Sequence, residues 1–128
     1  MKMNRLYAMI IGLSTLFGLM GCSTLNTGAD PVVVRAEQTS QIAFSLIDRF
    51  LKWEYDNRAI LPQDVRQAAS QMRQHAPEAL ITLKTLTKAY KKNRTEAGKA
   101  DLLTALAVVE ALQSQAIEIL AKYSKDVK

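Results

Sequence analysis

The chain has one cysteine, Cys22, and one histidine, His75, in 128 residues. A lone cysteine cannot close an intramolecular disulfide, so no covalent staple is expected in the fold. A lone histidine without partners at ligand spacing gives no zinc site. It also leaves no Ser-His-Asp or Cys-His set for nucleophilic catalysis. Gln74-His75-Ala76 directly precedes Pro77, and His75 reads as a surface or kink-lining residue. Glycine and proline are scarce as well. After residue 21 only Gly28, Gly98, Pro31, Pro62 and Pro77 occur, and β-branched residues cluster only at Val32 to Val34. Alanine, leucine, glutamine and lysine dominate instead, which is helix-forming composition. No internal repeat of about 20–50 residues is present.

What the chain does have begins at its N-terminus. Lys2 and Arg5 precede an apolar run, Leu6 to Met20, interrupted only by Gly12, Ser14, Thr15 and Gly18. This is the layout of a secretory signal peptide. Its 15 residues fall short of the roughly 17–25 that a bilayer-spanning helix needs. The run ends Leu19-Met20-Gly21-Cys22. In these residues the sequence resembles bacterial lipoprotein precursors. Leu19, Gly21 and Cys22 match the lipobox; Met20 departs from its usual small or β-branched residue. The resemblance covers residues 1–22. It implies cleavage before Cys22, a diacylglycerol on the Cys22 thiol and acylation, such as palmitate, on the new amine. No cofactor beyond that covalent lipid is expected. The thiolate is the nucleophile that would accept the lipid. Two or three acyl chains anchor stably, since each buried methylene contributes about 0.8 kcal/mol. Ser23 follows the cysteine, which resembles the outer-membrane-sorted group if the host is Gram-negative.

The domain organisation expected from this is a signal peptide over 1–21, a lipidated Cys22 with a polar tether to residue 29, and one domain over 30–128. The signal segment holds two of the 17 basic residues and none of the 12 acidic ones, leaving 15 against 12, a charge of +3. That is too mild to argue for nucleic acid. Seven flexible tether residues span roughly 15 Å.

Apolar periodicity predicts an all-α fold, an antiparallel bundle of three long helices with the middle one kinked at Pro77. Asp30-Pro31 is a helix start: Asp30 can cap and Pro31 suits the first helical position. The first helix is expected over 31–60, along Ala36, Thr39, Ala43, Leu46, Phe50, Trp53, Asn57 and Ile60. The second is expected over 63–93, with Pro77 removing one backbone hydrogen bond in its middle. The third is expected over 96–124, capped by Thr95, with Gly98 as a weak point. The three come out at about 45, 46 and 43 Å, which favours one kinked rod over two short helices in the middle. The apolar arc of the third helix exceeds half its circumference. It is therefore either the most buried helix or carries a second exposed apolar face, and its densest stretch, Leu102 to Leu112, is too short to cross a bilayer.

Two surfaces stand out. A basic run comprises Lys84, Lys88, Lys91, Lys92, Arg94 and Lys99, with no acidic residue between Glu78 and Glu96. In an upright antiparallel bundle tethered at Cys22, this run sits near the membrane and suits anionic lipid headgroups. Its bland alternative is a solvated helix end whose like-charge repulsion is offset by the helix dipole. The second surface is the stretch around Tyr55, Asp56 and Arg58, where Tyr55 faces outward and can contact a partner. Asp48, Glu54 and Asp56 read as a solvated face, with Asp48/Lys52 and Glu54/Arg58 as i,i+4 pairs, and not as catalytic carboxylates.

The expected role is that of a non-enzymatic, lipid-anchored envelope protein acting by surface contacts, with another envelope protein or a second copy as possible partner. One rival is a phage or prophage lipoprotein that blocks a receptor or envelope channel through the turn from Tyr55 to Asp64. Asp30 to Arg58 is loosely similar to small uncharacterised proteins of bacteria and their phages. A further rival is a small-molecule binder at the Pro77 kink, which requires a polar pocket beside His75.

Overall fold

A computed structural model describes residues 29–125. The segment expected to be a signal peptide, Cys22 and most of the expected tether lie outside the described residues. Three α-helices follow in order: α1 Pro31–Asn57, α2 Gln63–Lys92 and α3 Glu96–Tyr123. Each packs against both others, making an all-α bundle.

The starts of α1 and α3 follow local chemistry. Asp30 is extended, and its Oδ1 accepts a hydrogen bond from the Val32 amide at 2.9 Å, with Pro31 opening the helix. Such a cap contributes about 1 kcal/mol. Thr95 Oγ1 accepts from the Gly98 amide at 3.0 Å. A Cβ on residue 98 would lie 3.0 Å from that same oxygen. Gly98 is therefore the residue that leaves the cap room, not simply a weak point. At α2, Pro62 offers no side-chain cap, and Asp64 Oδ1 accepts from the Val65 amide at 2.9 Å.

The end of α1 differs from expectation. The helix stops at Asn57, three residues before Ile60. Asn57 Nδ2 donates to the Trp53 carbonyl at 2.8 Å, and the amides of Ile60 and Leu61 both turn back to the Asn57 carbonyl, at 3.0 and 3.2 Å. This turn carries Leu61 into the interior and leaves Ile60 68% exposed. A helix continued to Ile60 would bury the wrong one of the two. Pro77 lies inside α2, which runs through it as one helix; Ala76 beside it is buried.

The core is built from Val33, Ala36, Ala43, Ile47 and Phe50 of α1, from Ala69, Met72, Ala76, Leu83 and Tyr90 of α2, and from Leu102, Leu106, Val109 and Ala116 of α3. Each fully buried large aliphatic or aromatic side chain here contributes about 1.5–3 kcal/mol. The alanines let helix axes approach closely. Trp53 is half-buried and tilts against Phe50, with ring centroids 6.2 Å apart.

Candidate functional site

At one end of the bundle the start of α1 lies against the end of α2. Tyr90 Oη donates to Asp30 Oδ2 at 3.1 Å, and Arg94 Nη1 stands 3.8 Å from the same oxygen. Further along α1, Lys91 Nζ donates to Glu37 Oε1 at 2.8 Å. Desolvation is the largest single influence on Asp30 and pushes its carboxyl up. The Val32 amide, the Tyr90 hydroxyl and the Arg94 charge together outweigh it and hold the carboxyl below its ordinary 3.8. Desolvation and the Asp30 carboxylate push the Tyr90 phenol above its ordinary 10.0.

The basic run gathers at this end. Lys84, Lys88 and Lys92 are exposed along α2, Lys91 and Arg94 are exposed with acidic partners on or before α1, and Lys99 is half-buried. Two of the six cations are thus engaged by acidic side chains that the sequence order places more than 50 residues away. The six are therefore not equivalent, as the bare run of charges implied.

The second turn shows a larger departure. Tyr55 is 71% exposed, in line with its wheel position, and Asp56 is exposed. Glu54 is not on a solvated face. It is fully buried, and its Oε2 accepts a close hydrogen bond from Arg73 Nη2 of α2, which also donates to the Leu51 carbonyl at 3.4 Å. Glu54 Oε1 lies 3.3 Å from Arg58 Nε but accepts no hydrogen bond among the described residues. The i,i+4 partner expected from the sequence is therefore present, while the carboxylate it serves is inside the bundle. A signal for this exists: Ala43, Ile47 and Phe50 are buried, and the same 4-3 spacing continues to residue 54. Asp48 and Lys52 are exposed and, contrary to the pairing expected of them, form no ion pair among the described residues.

Other sequence candidates resolve more simply. His75 is exposed on α2. No cluster of three His, Cys, Asp or Glu able to hold a metal occurs among the described residues. An open groove of about 450 Å³ lies between α1 and α3, lined by Arg35, Gln38, Thr39, Glu110, Gln113, Ser114 and Ile117. That is away from His75 and Pro77. Arg35 spans the groove, its Nε and Nη2 donating to Glu110 at 2.8–3.0 Å. The fork sets paired opposite charges within the groove.

α3 takes the second of its two expected forms. Leu102, Ala105, Leu106, Val109 and Ala116 are buried, but Leu103, Val108 and Ile117 remain 40, 50 and 47% exposed. By length and composition alone, an 18-residue window of α3 is apolar enough to cross a membrane, and 28% of that window is buried. The apolar stretch thus reaches beyond the eleven residues from Leu102 to Leu112, because Gln113, Ser114 and Gln115 carry no charge and Ala116 and Ile117 follow them.

No protein-family model matches the chain, and neither a curated protein nor a solved structure matches it.

Proposed function

We propose that the protein is a lipid-anchored protein of the bacterial cell envelope that acts through surface contacts and not through catalysis. The observation that carries this reading is Leu19-Met20-Gly21-Cys22 at the end of a 15-residue apolar run. Cys22 is the lipidation site, Ser23 directs the protein to the outer membrane of a Gram-negative host, and no cofactor beyond the lipid is required. The helices run antiparallel, with α2 kinked at Pro77. The pairings Asp30–Tyr90, Glu37–Lys91 and Glu54–Arg73 support that path. They join the start of α1 to the end of α2, and the end of α1 to the first half of α2.

The same contacts support a membrane-facing role for the basic run. Asp30, where the tether ends, is tied to Tyr90 and Arg94, so the anchored end and the basic end coincide. Lys84, Lys88, Lys91, Lys92, Arg94 and Lys99 then meet anionic headgroups, each well-placed cation contributing about 1 kcal/mol. Lys84, Lys88 and Lys92, which have no acidic partner among the described residues, contribute most. Mass spectrometry of the mature N-terminus tests the anchor: the expected species begins at acylated Cys22, and an unmodified thiol there refutes it. Neutralising Lys84, Lys88 and Lys92 in the unlipidated protein should weaken binding to anionic vesicles and leave neutral vesicles unaffected. Equal binding to both would remove the headgroup role.

A second reading rests on the opposite turn. Tyr55 and Ile60 are exposed there beside Arg58, a combination typical of contact hot spots. This turn would engage a receptor or envelope channel, as a phage-encoded blocking lipoprotein does. Replacing Tyr55 and Ile60 with serine should abolish capture of a cross-linked envelope protein in intact cells while the anchor remains.

A further inference from the structure

The outward face of α3 is a surface that the anchor and the basic run leave without a role. Between Asp101 and Glu118 its only charged residue is Glu110, which sits at the edge of the face and is held by Arg35. Leu103, Val108 and Ile117 are exposed around Ala107 and Ala111. Charges return at the two ends, Glu96, Lys99 and Asp101 at the start and Glu118 and Lys122 at the finish. None of these five has a salt-bridge partner among the described residues, and Lys122 Nζ stands over the Tyr123 ring.

The order of those end charges selects the occupant. We infer that this face binds a second copy of the chain, α3 against α3 in antiparallel orientation about a two-fold axis. One register, centred between Ala107 and Ala111, sets Glu96 beside Lys122 of the second copy, while Lys99 and Asp101, of opposite sign, both fall within a residue of its Glu118 and offset one another. The same register places Ala107 across from Ala111, where small side chains permit close approach, and Thr104 across from Ser114. In a two-fold pair each of these contacts is made twice. A parallel pair would instead set every residue against itself, with Glu118 meeting Glu118. A bilayer would accept Leu103, Val108 and Ile117 but would leave Ser114, Gln115 and Glu118 without partners in hydrocarbon. Two anchored copies pair in this way when their helices run along the plane of the bilayer. Lys84, Lys88 and Lys92 form a stripe along α2, so they can meet headgroups in that pose as well.

Sedimentation of the purified full chain in mild detergent tests the inference through charge exchange. The wild-type chain should sediment as a dimer. Glu96→Lys and Lys122→Glu should each weaken the dimer about tenfold, since each reversal is felt at two symmetric contacts. Combining them should restore wild-type affinity. Circular dichroism of each variant checks that the helices persist, and Lys122→Gln, a milder change, should give an intermediate loss if Lys122→Glu fails to fold. A chain that stays monomeric at about 1 mM, the weak end of measurable association, overturns the inference. So does a dimer that neither reversal weakens or that the double exchange fails to restore. Uptake into neutral vesicles that survives all three variants assigns the face to lipid and overturns it equally.

Discussion

The two ends of the α1–α2 pair are built from similar parts and differ in their contact with water. At one end Asp30 takes hydrogen bonds from the Val32 amide and Tyr90, with Arg94 nearby, and stays partly open. At the other Glu54 is fully enclosed, with Arg73 and Arg58 reaching it from positions that keep water. A carboxylate that keeps some water loses little when a partner leaves. One with none is left as an uncompensated buried charge, and breaking such a pair costs about 3–5 kcal/mol. The same kind of contact therefore serves as a trim at one end and as a fixed point at the other.

The largest effect that follows is at Arg73. Arg73→Met should destabilise the bundle by about 3 kcal/mol, near the lower bound because Arg58 remains beside Glu54. For a domain of this size that lowers the melting temperature by roughly 15 °C. Adding Glu54→Met to the same chain should recover most of the loss, since apolar replacement of a whole buried pair is often neutral or stabilising. If the double variant melts no higher than Arg73→Met, Glu54 is contributing something other than a charge in need of a partner.

Next in size is Asp30→Ala, which removes the cap and should cost about 1 kcal/mol in denaturant unfolding. Third is the pH response of the open end. Asp30 is held below its ordinary 3.8 in the folded chain, so its contribution is present above that value and fades as pH falls through the lower folded value. Tyr90 is raised above 10.0, so its contribution is present below that value and is lost as pH rises through the folded one. Asp30→Asn should flatten the acid limb of the stability curve, and Tyr90→Phe the alkaline limb. The smallest effect belongs to Lys91→Ala, whose exposed pair with Glu37 should be worth no more than about 0.5 kcal/mol and should vanish in high salt.

Sequence patterns revealed what neighbouring residues decide among themselves. Asp30-Pro31 and Thr95 announce their helices because a cap needs only the next two or three amides. Tyr55 faces out because its wheel position follows from α1 alone. The burial of Glu54 was harder to see because its deciding partner, Arg73, is 19 residues away on another helix, while Arg58 supplied a plausible surface partner at once. The early stop of α1 was hidden for a related reason. Ile60 and Leu61 are equally apolar, and only the shape of the turn chooses between them. The engagement of Lys91 and Arg94 likewise required knowing which acids the third dimension delivers. Cys22 stands apart, since its case rests on sequence outside the described residues.

The Asp30–Tyr90 contact also has a mechanical meaning. A pull on the chain ahead of residue 30 arrives at a side chain that is held by α2 as well as by the first turn of α1. The load is divided between two helices before it can peel the first turn of α1 away. Tyr90 is itself part of the buried core, so the force passes on into the packed interior. Asp30 thus spreads a pull on the residues before it over two helices and the core they share.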